Sequence, residues 1–199
     1  MRRTASGNLR SWAVLAAAVL AAAPAAADGH LAVQGGGFVP WQGDAGPSFL
    51  LQLLGSNARA RARFGGELEF RTFDSQIIGV SDVDVEAYVI RAVWQQHFVP
   101  DAPVTPYLGL GLGVAINDVD DRKVDRVKGR DVRSSTSAGP DGVFMLGLAA
   151  KLPGADFVSV YAEGRIGFSV DYVSRNDATH LESENLGGAS GNAGLRFRF

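Results

Sequence analysis

The stretch Tyr107-Leu108-Gly109-Leu110-Gly111-Leu112-Gly113-Val114-Ala115-Ile116 alternates without a break. A β-strand sends successive side chains to opposite faces. One face therefore carries Leu108, Leu110, Leu112, Val114 and Ile116, and the other Tyr107, Gly109, Gly111, Gly113 and Ala115. Large apolar residues on one side and small ones on the other define a strand that separates two different surroundings.

The same pattern extends in both directions along the chain. Phe144, Leu146, Leu148, Ala150 and Leu152 oppose Met145, Gly147, Ala149 and Lys151. Val158, Val160, Ala162, Gly164, Ile166, Phe168, Val170 and Tyr172 oppose Ser159, Tyr161, Glu163, Arg165, Gly167, Ser169 and Asp171. Between residues 59 and 73, Ala60, Ala62, Phe64, Leu68 and Phe70 oppose Arg61, Arg63, Glu67, Glu69 and Arg71. Helical periodicity is nearly absent. The spacing predicts strands at about 30–41, 46–54, 59–73, 83–98, 104–117, 142–152, 156–172 and 189–199. The fold class expected is all-β, an eight-stranded antiparallel up-and-down transmembrane β-barrel.

Alternation alone does not choose the solvent, since a lipocalin-like soluble barrel shows the same period with its faces exchanged. Charges on the third strand alternate with apolar residues, as do Arg91, Arg196 and Arg198. In a membrane barrel these charges face the lumen. Connection lengths add a second criterion. Residues 55–58, 99–103 and 153–155 form short turns, whereas 74–82, 118–141 and 173–188 are long and polar; 42–45 is short. Tight turns on one rim and longer loops on the other characterise outer-membrane barrels.

The N-terminus supplies a third criterion. Arg2, Arg3 and Arg10 precede an apolar stretch from Trp12 to Ala23, and Pro24-Ala25-Ala26-Ala27 supplies small residues before Asp28. That order predicts a secretory signal peptide over residues 1–27, cut after Ala27, with a barrel domain over 28–199. The apolar stretch is shorter than the roughly 20 residues a membrane helix needs. Loss of the three arginines leaves 16 of the 19 basic residues against 21 acidic ones, a charge of about −5. Nucleic acid is therefore not an expected partner. With no cysteine there is neither a disulfide framework nor a thiolate metal site. No later segment is a continuous apolar run of membrane-helix length, so any membrane insertion must use strands. Trp41, Phe73, Trp94, Phe98, Tyr107, Tyr172 and Phe199 fall near strand ends, where aromatic girdles are expected.

The segment Thr105-Pro106-Tyr107-Leu108-Gly109-Leu110-Gly111-Leu112-Gly113 resembles the PYxGxGxG strand of small OmpA-like and opacity-type outer-membrane barrels. Tyr161-Ala162-Glu163-Gly164-Arg165 is similar to a Y-x-E-x-R strand of the same group, and the chain ends Leu195-Arg196-Phe197-Arg198-Phe199. The resemblance implies an outer-membrane location among lipid and lipopolysaccharide. It also implies that Phe197 and Phe199 form a signal read by the barrel-assembly machinery. It carries no cofactor and no enzymatic activity.

Three groups of residues are candidates for chemistry. Arg61, Arg63, Arg71, Arg91, Arg165, Arg196 and Arg198, with Glu67, Glu69 and Glu163, are expected to fill the lumen as a charge network. An eight-stranded interior is about wide enough for side chains to occupy it, so a plug is favoured over a narrow solute channel. The loop 117–141 mixes Asp118, Asp120, Asp121, Asp125 and Asp131 with Arg122, Lys123, Arg126, Lys128, Arg130 and Arg133. It lacks the glycine and distal glutamate of an EF-hand, and its basic members could meet lipopolysaccharide phosphates. Finally, His180, Ser183 and Glu184 supply the residue types of an acyl hydrolase such as the barrel lipid A deacylases. His180 and Ser183 are three residues apart, which on an extended strand sets them on opposite faces. His30 and His97 are isolated in sequence, and no metal site is expected. The function expected is a non-enzymatic envelope-structural or surface-interaction role through the external loops, with the hydrolase and the channel as alternatives.

Overall fold

The computed structural model describes residues 28–56, 61–77, 80–100, 102–120, 135–174 and 181–199. The described residues form strands β1 (Asp28–Pro40), β2 (Gly43–Asp44), β3 (Gly46–Ser56), β4 (Ala62–Ile77), β5 (Val80–His97), β6 (Val104–Asp120), β7 (Ser135–Leu152), β8 (Ala155–Ser174), β9 (Leu181–Asn185) and β10 (Gly188–Arg198). Each long strand pairs antiparallel with its neighbour in sequence, and β10 closes the ring against both β1 and β8. The result is an eight-stave barrel, with β2 laid on β4 and β9 laid on the end of β8. Among the described residues every long strand is joined to two neighbours, so the ring itself has no open edge, which is why strands can cross a membrane at all.

The two faces differ as alternation requires. Leu112 is 69% exposed, and Leu146, Leu148, Ile166, Phe49, Phe64 and Phe144 are exposed on the same outer surface. Such a continuous apolar surface far exceeds what a water-soluble monomer shows. Inside, Arg91, Arg165, Glu67, Glu69 and Glu163 are buried. The inside-out distribution assigns the outer surface to lipid.

The turns at one rim are tight. Leu152 and Ala155 pair across Pro153-Gly154, and Gly154 has φ +79°. Proline before a left-handed glycine is the chemistry of a type II turn. The opposite rim departs from the sequence expectation. Strands β4 and β5 run to Ile77 and from Val80, so most of the expected 74–82 loop is paired strand. Likewise β6 reaches Asp120 and β7 begins at Ser135, and β9 occupies part of 173–188. Ladder hydrogen bonds depend on backbone geometry and not on side-chain hydropathy. Polar strands such as Ser135-Thr136-Ser137 can therefore continue above the membrane, where the apolar pattern has ended. Strands of 16 to 20 residues in β4 to β8 exceed the 9–11 that a bilayer needs. Their excess projects on the long-loop side.

Candidate functional site: the charged lumen

Lumen-facing residues follow from strand parity and form two layers. The layer toward the long-loop rim centres on Glu67, with no solvent exposure. Arg165 binds it in bidentate fashion, Nη1 to Oε1 at 2.8 Å and Nη2 to Oε2 at 2.6 Å. Arg91 Nη1 adds a bond to Oε1 at 2.6 Å and Gln52 Nε2 one to Oε2 at 2.6 Å. Arg91 also donates to Glu69 through Nη1 and to Asp141 through Nε. Arg165 Nε donates to Glu163, whose other oxygen accepts from Tyr107 Oη at 2.8 Å. Arg71 lies 3.5 Å from Asp141 and stacks its guanidinium over Phe38 at 4.4 Å.

Four carboxylates thus meet three guanidinium groups in one buried cluster. Charges taken out of water cost several kcal/mol each unless paired and hydrogen-bonded. Here each has at least one opposite partner, and the fork geometry of arginine lets one cation serve two or three acids. Above the cluster the buried rings of Phe38 and Phe73 meet at 4.9 Å between centroids.

The second layer lies toward the short-turn rim. Arg196, 1% exposed, donates from Nη2 to Gln95 Oε1 at 3.1 Å. Its guanidinium sits against the Tyr161 and Tyr107 rings at 4.8 and 5.3 Å. The His97 ring stacks on Tyr107 at 4.9 Å and lies 3.4 Å from the same Gln95 oxygen. Gln95 Nε2 donates to Gln52 at 3.4 Å, which links the two layers into one ladder. Three interior glycines are closely packed by their neighbours. A Cβ on Gly147 would lie 2.5 Å from Tyr107 Oη, and one on Gly109 would lie 2.7 Å from Met145 Cγ. One on Gly111 would lie 2.9 Å from Val143 and 3.1 Å from Arg91. Small residues on one strand accommodate large residues on the next.

The structure therefore gathers Glu67, Glu69, Arg71, Arg91, Glu163 and Arg165 in one cluster and adds Asp141. By sequence Asp141 falls at the end of the 117–141 loop. Its parity matches inward Val143 and Met145, and that continued alternation was the available signal. Arg196 belongs to the second layer, with no carboxylate partner among the described residues. Arg63 is half-buried beside it in register with Gln95. Two expected members are corrected. Arg198 is exposed and pairs with Asp28 at 2.9 Å, and Arg61 is exposed. Both share the inward parity but stand at strand ends, where an inward side chain reaches bulk water at the rim.

The girdle expectation also divides. Trp41, Phe98 and Phe199 are exposed and Trp94 is half-buried, whereas Phe73 and Tyr107 are buried in the lumen. Odd numbering places both of these on the inward face of their strands, which proximity to a strand end does not reveal. The Tyr172 backbone pairs with Ser183, and Asp171 with Glu184, in the β8–β9 ladder. His180 lies outside the described residues, as do residues 121–134 of the acidic and basic loop and the segment 1–27. Among the described residues no group of acidic or histidine side chains is arranged to hold a metal ion. Phe197 is half-buried on the outer face, and the Phe199 backbone exchanges two 2.9 Å hydrogen bonds with Gly29 to finish the closing seam.

No protein-family model matches the sequence, and no curated protein matches it. Similarity appears at the level of solved structures. Neisserial surface protein A is 18% identical, with a TM-score of 0.56 over 86% of this chain and 96% of that one. The outer membrane protein OprG from Pseudomonas aeruginosa is 15% identical, with a TM-score of 0.58 over 87% and 96%. The outer membrane enzyme PagL is 17% identical, with a TM-score of 0.42 over 86% and 99%. Identities this low carry the fold and no activity. A closed eight-stave ring, apolar outside and charged inside, together with these likenesses, gives the chain the fold of a small outer-membrane β-barrel.

Proposed function

We propose that this barrel is a non-enzymatic component of the outer membrane, acting as an envelope-structural or surface-interaction protein through its external end. The observation that carries this reading is the occupied lumen. Seven buried charged side chains join Glu67, Glu69, Arg71, Arg91, Asp141, Glu163 and Arg165 under the Phe38–Phe73 contact. A solute path would require breaking that cluster, so work at the surface falls to the strand extensions of β4 to β8 and their loops. Residues 1–27 are proposed as the export signal, removed after Ala27. Phe197 and Phe199 are proposed as the strand signal for the assembly machinery, and basic residues of 117–141 as contacts to lipopolysaccharide.

The test is reconstitution of the mature barrel in planar bilayers, alongside electrophoresis of boiled and unboiled samples. The expected result is a heat-shifted band in the outer-membrane fraction and no stable conductance. Ohmic conductance from folded protein would replace this reading with the channel. Release of acyl chains from lipid A, lost on Ser183→Ala, would replace it with the hydrolase.

A further inference from the structure

The two lumen layers differ in charge balance. Every arginine of the upper layer, Arg71, Arg91 and Arg165, meets a carboxylate. Arg196 is equally buried and meets none among the described residues. Its one side-chain hydrogen bond goes to the neutral amide of Gln95, while Nε and Nη1 have no protein acceptor there. The nearby acid is already committed: Glu163 accepts from Tyr107 and Arg165. The Tyr161 ring lies 4.8 Å from the Arg196 guanidinium, and its buried hydroxyl has no hydrogen-bond partner either. Half-buried Arg63 adds positive charge to the same layer.

A buried guanidinium without an anion is costly, and Arg196 Nε and Nη1 have no carboxylate to meet in this layer among the described residues. We propose that the short-turn half of the lumen is a binding site for a small inorganic or carboxylate anion, held by Arg196 and Tyr161. The chemistry is that of charge-assisted hydrogen bonding to a compact negative charge. Half-buried Arg63 stands in register with Gln95, the residue that Arg196 binds, on the short-turn side of the site. The aromatic rings beside the guanidinium restrict the site's size, which favours halide or formate over phosphate.

The experiment uses the folded mature barrel in detergent. Thermal midpoints are recorded against chloride, bromide, formate or phosphate, at constant ionic strength made up with gluconate. Saturable stabilisation is expected for the small anions. Arg196→Gln should weaken the apparent affinity about tenfold or abolish the response, and Tyr161→Phe should weaken it less. Arg61→Gln, at the exposed rim, should leave it unchanged. Native crystals grown in bromide should show an anomalous peak within about 3.5 Å of Arg196 Nε or Nη1. That measurement decides the matter even if Arg196→Gln fails to fold. A native barrel whose midpoint ignores halide, crystals with no bromide at Arg196, or an Arg196→Gln barrel that keeps the full response would each overturn the proposal and leave these donors to water. Saturation by phosphate alone would overturn the size argument.

Discussion

Arg91→Leu removes the arginine that meets the most carboxylates among the described residues. Arg91 donates to Glu67, Glu69 and Asp141. Glu67 would keep its bidentate Arg165 and its Gln52. Asp141 would keep only Arg71 at 3.5 Å, and Glu69 would lose its one hydrogen bond to a described side chain. The cluster's formal balance moves from four acids against three cations to four against two. Removing one member of a buried ion pair costs about 3–5 kcal/mol, because the remaining charge is left uncompensated. The assay is urea-dependent folding into lipid vesicles, followed by gel mobility and Trp fluorescence, with the expected loss in that range. Adding Glu69→Gln to Arg91→Leu restores the native balance and should recover about 1–3 kcal/mol as coupling energy. A single-variant loss below about 1 kcal/mol would mean that water solvates the cluster, and the plug argument would fail with it. A double variant no more stable than additivity requires would show that Glu69 and Arg91 do not act as a pair.

Other consequences follow from the two faces and the seam. Leu112→Arg places a charge on the lipid-facing surface and should cost about 2–4 kcal/mol of folding free energy in vesicles if it lies near the midplane; a neutral effect would contradict the membrane assignment. Gly147→Val drives a side chain into Tyr107 and should cost about 1–3 kcal/mol by overpacking, measured by the same urea titration. Phe199→Ala should lower the yield of folded barrel in the outer membrane of cells while leaving refolding into vesicles nearly intact, because the backbone bonds to Gly29 remain; equal losses in both assays would make the residue structural and not a signal. Ser183→Ala should leave the acylation of lipid A unchanged when membranes containing native and variant protein are compared.

Much of this architecture is legible in the sequence because it rests on one rule, the period of two. From Tyr107 to Ile116 the rule fixes both the strand and its faces, and Arg61 to Arg71 identifies which face avoids lipid once export and turn lengths are considered. The same rule loses force where membrane and water no longer impose a contrast. Above the bilayer both strand faces are wet, so Asp118 to Asp120 and Ser135 to Gly139 read as loop although they continue the ladder. Asp141 is a different case: flanked by Pro140 and Gly142 it reads as the end of a loop, although its side chain is buried among the lumen charges. At the other rim the rule overreaches, since Arg198 has inward parity but ends in solvent beside Asp28. The division of the lumen into a paired acidic layer and an unpaired basic one is not periodic at all. It depends on which of several inward charges stand across from each other after closure, and that is set by register between strands far apart in sequence. Glu67 and Arg165, separated by 98 residues, are the clearest instance.

The lumen charges also bear on how such a chain reaches its membrane. On the proposed export route each strand passes through an inner membrane before it has a partner. A strand with both faces apolar would extend the hydrophobic run toward the roughly 20 residues that stop a chain there. Arg63, Glu67, Glu69 and Arg71 break that run in β4, Arg91 does so in β5, and Glu163 and Arg165 in β8. Unpaired charges would be ruinous if they remained so in the folded barrel, and closure completes their pairing. Gln52, Glu67 and Arg91 already stand opposite one another on the neighbouring strands β3, β4 and β5, whereas Asp141 on β7 and Arg165 on β8 reach Arg91 and Glu67 across the lumen once the ring is closed. The same residues that break the apolar runs thus make closure cooperative, because β3 to β5 alone leave Glu67 without Arg165 and Arg91 without Asp141. The β6 strand, by contrast, contributes no ionised side chain to the cluster. Its inward glycines accept neighbours' bulk instead, and its Tyr107 hydroxyl caps Glu163.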